Sequence, residues 1–177
     1  DMRAAAALLV DLGVDVIDIN MGCPSRQVTG GKSGSALMRE PDLALRIIDA
    51  TLEGAGGTPV TLKMRLGWDD DLLNAPYIGL AAQERGLQLL TVHGRTRCQF
   101  YKGTADWQRI HDTVDAVDLP VIANGDIHSL DTAKSALYAS GAYGVMIGRS
   151  AMGQPWVVGE VAAALDGRPH KTPTLSE

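Results

Sequence analysis

The pentapeptide Asn20-Met21-Gly22-Cys23-Pro24 sets a thiol directly after an apolar run, Val14, Val16, Ile17 and Ile19, that reads as a buried strand. Cys23 therefore belongs to a turn at a strand's C-terminal end, the edge where α/β proteins place their chemistry. A thiol there can serve as an acid, a nucleophile or a metal ligand. Plain burial as a small hydrophobe is the commoner fate of an isolated cysteine. Four further groups of chemically able residues stand at the ends of later apolar runs. Lys63 and Arg65 close one, His93 the next, Asn124-Gly125-Asp126 another, and Gly148-Arg149 the last. A buried cation without a partner is costly, so a salt bridge from Lys63 to Asp18 or Asp126 is its plain structural explanation. Glycine lets backbone N–H groups approach a ligand closely and arginine adds a bidentate charge, so the last two groups suit a phosphate. His111, His128 and His170 have no such context. No His/Cys/Asp group shows zinc spacing, which predicts no metal.

These residues need elements to hold them. Five short runs, 14–20, 59–65, 88–93, 120–124 and 144–148, have the β-branched or leucine-rich character of parallel strands covered on both faces. Helical patterns separate them. One opens at Pro41 and runs over 41–53; a second, 75–85, is expected to be capped by Asn74 and stopped by Gly86. Trp107, Ile110, Val114 and Val117 form an apolar stripe, Ser129 caps a helix that Gly141 ends, and Pro155 begins a last helix to about Leu165. The opening residues, with Asp11 and Asp15 interrupting them, read as an amphipathic helix and not as a signal peptide.

Strand–helix alternation with short connections means parallel βαβ units. Doubly wound sheets and β/α barrels both fit that pattern. Polar or glycine residues at every strand end, and a phosphate-type pair after the last two strands, favour the barrel. Five units cannot close eight strands, and 177 residues fall short of the roughly 250 typical of the fold. The expectation is an α/β chain forming part of a (β/α)8 TIM barrel, strands four to eight. Residues 1–165 would be the partial catalytic barrel and 166–177 a tail or linker towards a C-terminal domain. Open strand edges would favour self-association.

The formal net charge of −5 argues against a protein that coats nucleic acid non-specifically. A local basic rim remains, because Arg26, Lys32, Lys63, Arg65, Arg95, Arg97 and Lys102 all fall in or near strand-to-helix loops. No apolar stretch approaches the roughly 18 residues of a membrane helix. Two cysteines, Cys23 and Cys98, make no disulfide framework and fit a reducing cytoplasm. The segment Arg26–Ser35, with three glycines, is expected to be a mobile loop carrying Cys23. Its Gly-Gly-Lys-Ser is no Walker A loop, because Arg26 and Gln27 stand where the earlier glycine is required.

Five stretches, IDINMGCPSRQVTGGKSGSALM, VTLKMRLGW, LLTVHGRTRCQFYKGTADW, PVIANGDI and GVMIGRSAMGQPW, together resemble the successive motifs of the bacterial tRNA-dihydrouridine synthases. The likeness runs from about residue 4 to 160, and the ordered set is far more specific than any one motif. It implies an FMN enzyme, re-reduced by NADPH, that reduces the C5–C6 double bond of a tRNA uridine in the cytoplasm. Cys23 matches the cysteine that protonates C5, a role that needs a thiol kept protonated. By the same resemblance Asn20 holds the substrate base or flavin edge, and Arg65 approaches the target nucleotide. Lys63 would contact the flavin N1/O2 region, His93 would pack on the flavin and bond its pyrimidine edge, and Asn124, Gly125, Asp126, Gly148 and Arg149 would form the phosphate and ribityl site. The family's opening strand, a third-strand glutamine and most of its C-terminal helical domain have no counterpart here. The chain by itself is therefore expected to bind FMN weakly or not at all and to be inactive on tRNA. Competing readings are another FMN barrel oxidoreductase acting on a free pyrimidine, and a barrel fragment with no catalysis. A phosphosugar isomerase would call for a carboxylate base, which these strand ends do not offer.

Overall fold

A computed structural model describes residues 1–170; the end of the expected tail, from 171 onward, lies outside the described residues. Five strands, β1 (Ile17–Met21), β2 (Val60–Arg65), β3 (Leu89–His93), β4 (Val121–Asn124) and β5 (Gly144–Met146), form one sheet. They are all parallel and lie in chain order, β1-β2-β3-β4-β5. The helices are α1 (Met2–Asp11), α2 (Arg26–Thr29), α3 (Pro41–Ala55), α4 (Ala75–Glu84), α5 (Gln108–Ala116), α6 (Leu130–Ser140) and α7 (Val157–Leu165). Short 3-10 turns at Gly34–Arg39 and Arg149–Ala151 complete the described elements.

The monotone strand order decides between the two architectures. A doubly wound sheet reverses its order and carries helices on both faces. Here the order never reverses, so right-handed crossovers put successive helices on one side. Neighbours along that side touch in sequence: α1 with α3, then α3 with α4, α4 with α5, α5 with α6, and α6 with α7. The expectation that both faces of the strands are covered is corrected. Helices cover one face, and the opposite face is the concave interior of a barrel arc.

Side-chain alternation makes the two faces chemically different. Ile17, Ile19 and Met21, then Val60, Leu62 and Met64, then Leu90 and Val92, point at the helices and are buried with Ile48 and Ile78. The concave face is read off the register. Asn20 lies beside Lys63 and Lys63 beside Thr91, while Arg65, His93, Asn124 and Met146 form the next row. Its polar side chains gather towards the C-terminal ends, as the two-residue spacing of Lys63 and Arg65 requires.

Local signals placed most helix ends. Ser129 accepts from Thr132 N–H in a reciprocal capping box, and Gly141 closes α6 in the left-handed region. Asn74 departs from expectation. It makes no side-chain cap; its amide donates to the Met38 carbonyl at 2.7 Å, tying the start of α4 to the turn before α3. Within Arg26–Ser35, residues 26–29 form α2, residues 30–32 a turn, and residues 34 and 35 begin the 3-10 helix. No helix among the described residues is long and apolar enough to cross a membrane.

Candidate active site

The strand ends surround a cavity of about 700 Å³, within the range of small-molecule and cofactor sites. All ten residues singled out in the sequence line it: Asn20, Cys23, Lys63, Arg65, His93, Asn124, Gly125, Asp126, Gly148 and Arg149. Ser150 joins them beside Arg149, and Tyr101 and His128 do so without having been anticipated. They sit in loops whose path no periodicity reveals.

Cys23 is held by its backbone from several sides. Asn20 Oδ1 accepts from Gly22 N–H (3.0 Å) and Cys23 N–H (3.1 Å), closing the turn at the end of β1. The Cys23 carbonyl accepts from Ser35 N–H (3.0 Å) and from the Ser35 hydroxyl (2.8 Å). Gly34, at φ +58°, packs so closely that a Cβ there would lie 2.8 Å from the Cys23 carbonyl oxygen and 3.2 Å from its Cβ. Only glycine fits both that angle and that gap. Asn20 thus spends its oxygen on the turn and keeps its amide NH2 for the cavity.

Arg65 contributes to the same support. Its guanidinium donates to the carbonyls of Gly22 (Nε, 2.8 Å), Thr96 and Phe100 (both Nη1, 2.9 Å), and the residue is buried. Burial and the nearby Arg95 bring its pKa down to about 10, against the pull of Tyr101, and it stays charged at neutral pH. Arg65 therefore ties the cysteine turn to the loop after β3.

Lys63 has neither of its expected carboxylate partners. The Asp18 carboxylate accepts the Thr61 hydroxyl at 2.6 Å, and Asp126 is engaged by arginines. Burial lowers the Lys63 pKa, Arg65 lowers it further and Asp18 opposes both. The result is a cation at the cavity wall with no ion pair among the described residues. Such a group is ready to receive an anionic ligand.

Asp126 anchors the other side. It sits at φ +55°, a conformation an aspartate tolerates better than most residues. Arg95 grips it bidentately, Nη1 to Oδ1 at 3.0 Å and Nη2 to Oδ2 at 2.6 Å, while Ala105 N–H donates to Oδ2 at 2.7 Å. Arg149 approaches at 3.5 Å. Burial pushes this carboxyl's pKa up, but the bonds from Arg95 and Ala105 and the charge of Arg149 carry it below the usual range. Arg95 is itself almost wholly buried, and in sequence it looked like one more rim charge.

His93 lies against these cations. Arg95 Nη1 stands 3.4 Å from its Nε2; an arginine only donates, so Nε2 is the unprotonated ring nitrogen. Gly125 (φ +114°) covers the ring so tightly that a Cβ would come within 2.6 Å of it. Burial first, then the charges of Arg65, Lys63 and Arg95, bring the His93 pKa down to about 3, with Asp126 opposing. His93 is neutral at working pH. The unfolded chain binds this proton below about 6.5 and the folded chain only near 3, so folding stability is lost as pH falls between those values. Between pH 6.5 and 4, the wild-type unfolding free energy should fall by about 2–3 kcal/mol more than that of His93→Asn. Urea unfolding across this range checks it; parallel curves would show that His93 is not held neutral.

The donor set fits a flavin mononucleotide. Two cations, Lys63 and Arg149, suit anionic groups, neutral His93 and the Asn20 amide suit a pyrimidine edge, and Gly148 leaves its side of the cavity open. Among the described residues no cluster of three His, Cys, Asp or Glu is placed to hold a metal ion.

The family model described as dihydrouridine synthase matches residues 1–177. The chain is 54% identical to a probable tRNA-dihydrouridine synthase of Rhodobacter capsulatus, over 99% of the chain and 54% of that protein. It is 51% identical to the tRNA-dihydrouridine synthase B of Xanthomonas campestris, over 91% of the chain and 48% of that protein. The chain spans about half the length of the curated relatives it matches. Among solved structures it resembles dihydrodipicolinate synthase from Agrobacterium tumefaciens, with a TM-score of 0.66 and 14% identity over 97% of the chain and 55% of that structure. A putative lyase/mutase from Burkholderia cenocepacia is similar at a TM-score of 0.58 and 20% identity, over 93% of the chain and 55% of that structure. At such identities these likenesses show the fold alone.

Proposed function

This chain belongs to the dihydrouridine synthase family, and on that premise we propose that it carries the catalytic site for flavin-dependent reduction of uridine to dihydrouridine in tRNA. The observation that carries the reading is the convergence of Cys23, Lys63, His93 and Arg149 on one cavity, each presented from a different strand end. Residues 1–165 supply this catalytic segment, and the protein works in the cytoplasm.

A flavin mononucleotide kept reduced by NADPH would supply the hydride that uridine C6 accepts. The remaining chemistry belongs to the chain. Cys23 gives its Sγ proton to C5 as C6 gains the hydride, so the C5–C6 double bond becomes single and the thiolate recovers a proton from water. The amide of Asn20 bonds the edge of the base or of the flavin. Lys63 places positive charge where reduction puts negative charge, and does so without competition from a carboxylate. Neutral His93 bonds the pyrimidine edge, and Arg149 with Gly148 and Asn124 holds the phosphate and ribityl chain. Asp126 acts chiefly through Arg95 and Arg149, orienting them.

The test is direct. The full-length protein, incubated with NADPH and unmodified tRNA, should show flavin absorbance and form dihydrouridine. Reduction of free uridine or another free pyrimidine, with tRNA left untouched, would select the rival flavin oxidoreductase. Absence of flavin binding would remove both.

A further inference from the structure

Three loops meet outside the cavity, at Trp68. The loop after β2 brings the indole, and the 3-10 turn after β1 lays the Arg39 guanidinium 3.8 Å from its centroid. The loop after β3 lays Arg97 at 4.7 Å from the same ring. Backbone bonds from Arg97 N–H to Gly67 O and from Cys98 N–H to Trp68 O zip the second and third loops together. The stack continues inward: Arg97 lies 4.9 Å from the Phe100 ring, and Phe100 lines a recess of about 460 Å³ that it shares with Cys23. A ridge of alternating cation and aromatic ring thus leads from the cysteine to the surface.

Two like charges on one indole repel each other, and neither has a carboxylate within ion-pair range among the described residues. The acidic residues nearby are turned to other partners. Asp70 takes Arg109 at 2.8 Å, Asp69 accepts the backbone N–H groups of Asp71 and Leu72, and Glu40 and Asp71 form no ion pair with either arginine. Stacking restrains the Arg39 guanidinium yet leaves its edge donors facing solvent, since the residue is exposed. A row of pre-oriented, unneutralised guanidiniums is relieved by a polyanion. Repulsion in the free protein becomes attraction on binding.

We propose that the Arg39–Trp68–Arg97 stack is a docking ridge for the RNA phosphate backbone flanking the target nucleotide, with Arg39 as the outer phosphate contact. The inference rests on the tRNA reading above and assigns a surface that lies outside the cavity. It is tested in the full-length protein by anisotropy of labelled, unmodified tRNA across a salt series. Arg39→Ala should weaken binding about three- to ten-fold at ~100 mM salt and lower the slope of log affinity against log salt by about one. Arg39→Lys, which keeps the charge and loses the planar stack, should keep the slope but recover only part of the affinity. Arg46→Ala, the same charge change on the exposed face of α3, should leave both unchanged, and flavin absorbance and kcat at saturating tRNA should be the same in all variants. An unaltered affinity and slope in Arg39→Ala would overturn the ridge while the function stands, as would equal losses in Arg39→Ala and Arg46→Ala. A wild-type protein that neither binds nor converts tRNA would remove the function and the ridge together.

Discussion

Cys23→Ala should lower dihydrouridine formation by about 10²- to 10⁴-fold, the usual worth of a positioned proton donor. The substitution removes only Sγ, and the supports of that position act on the backbone. Asn20 holds the Gly22 and Cys23 N–H groups, Ser35 holds the Cys23 carbonyl, and Arg65 holds the Gly22 carbonyl. None of these bonds involves the thiol, so the turn and the cavity should survive intact. Flavin content and tRNA affinity are therefore expected to match the wild type. The loss should fall on the step in which prereduced enzyme is reoxidised by tRNA. Single-turnover flavin absorbance measures that step directly. A rate within three-fold of wild type would remove Cys23 from the proton-donor role and leave it as a packed turn residue.

How much of this site was legible in the sequence depends on what each residue bonds to. The apolar runs put Lys63, Arg65, His93 and Asn124 near strand ends, and β2, β3 and β4 do close on Arg65, His93 and Asn124. Which face each side chain takes follows from period-two alternation only once the strand is known. The register then brought Arg65, His93 and Asn124 into one row. Pairings made to backbone carbonyls of distant loops were not legible. Arg65 reads as a substrate contact, yet three carbonyls occupy it, two of them contributed by residues 96 and 100 of a loop that folds back over the strand end. Arg95 reads as rim charge for the same reason; its burial depends on the carbonyls of Lys102 and Gly103. Helix coverage of a single face also escaped the composition. Lys63 and His93 would have betrayed it, since helices packed over the concave face would have buried both away from any ligand.

Asp126→Ala should destabilise the fold by about 3–5 kcal/mol, because it strands a guanidinium that cannot reach water. Arg95 is 1% exposed, and the carboxylate supplies two of its shortest contacts. The carbonyls of Lys102 and Gly103 would still accept from it, but dipoles do not neutralise a buried charge. Removing both partners should cost less than removing Asp126 alone: Arg95→Met with Asp126→Ala leaves no buried ion unpaired, since Arg149 is solvent-exposed. A double-mutant cycle by chemical denaturation reads this as a loss in the double variant well below the sum of the two single losses. The consequence for the site would extend past stability. Ala105 N–H loses its acceptor, Arg149 loses its 3.5 Å partner, and the loop after β3 loses its tie to the segment after β4. Flavin affinity should therefore fall in Asp126→Ala and partly return in Asp126→Asn, which keeps one acceptor oxygen for Arg95. A loss of under 1 kcal/mol, with additive single effects, would mean that Arg95 finds solvent by another route and that the pair does not hold this side of the cavity.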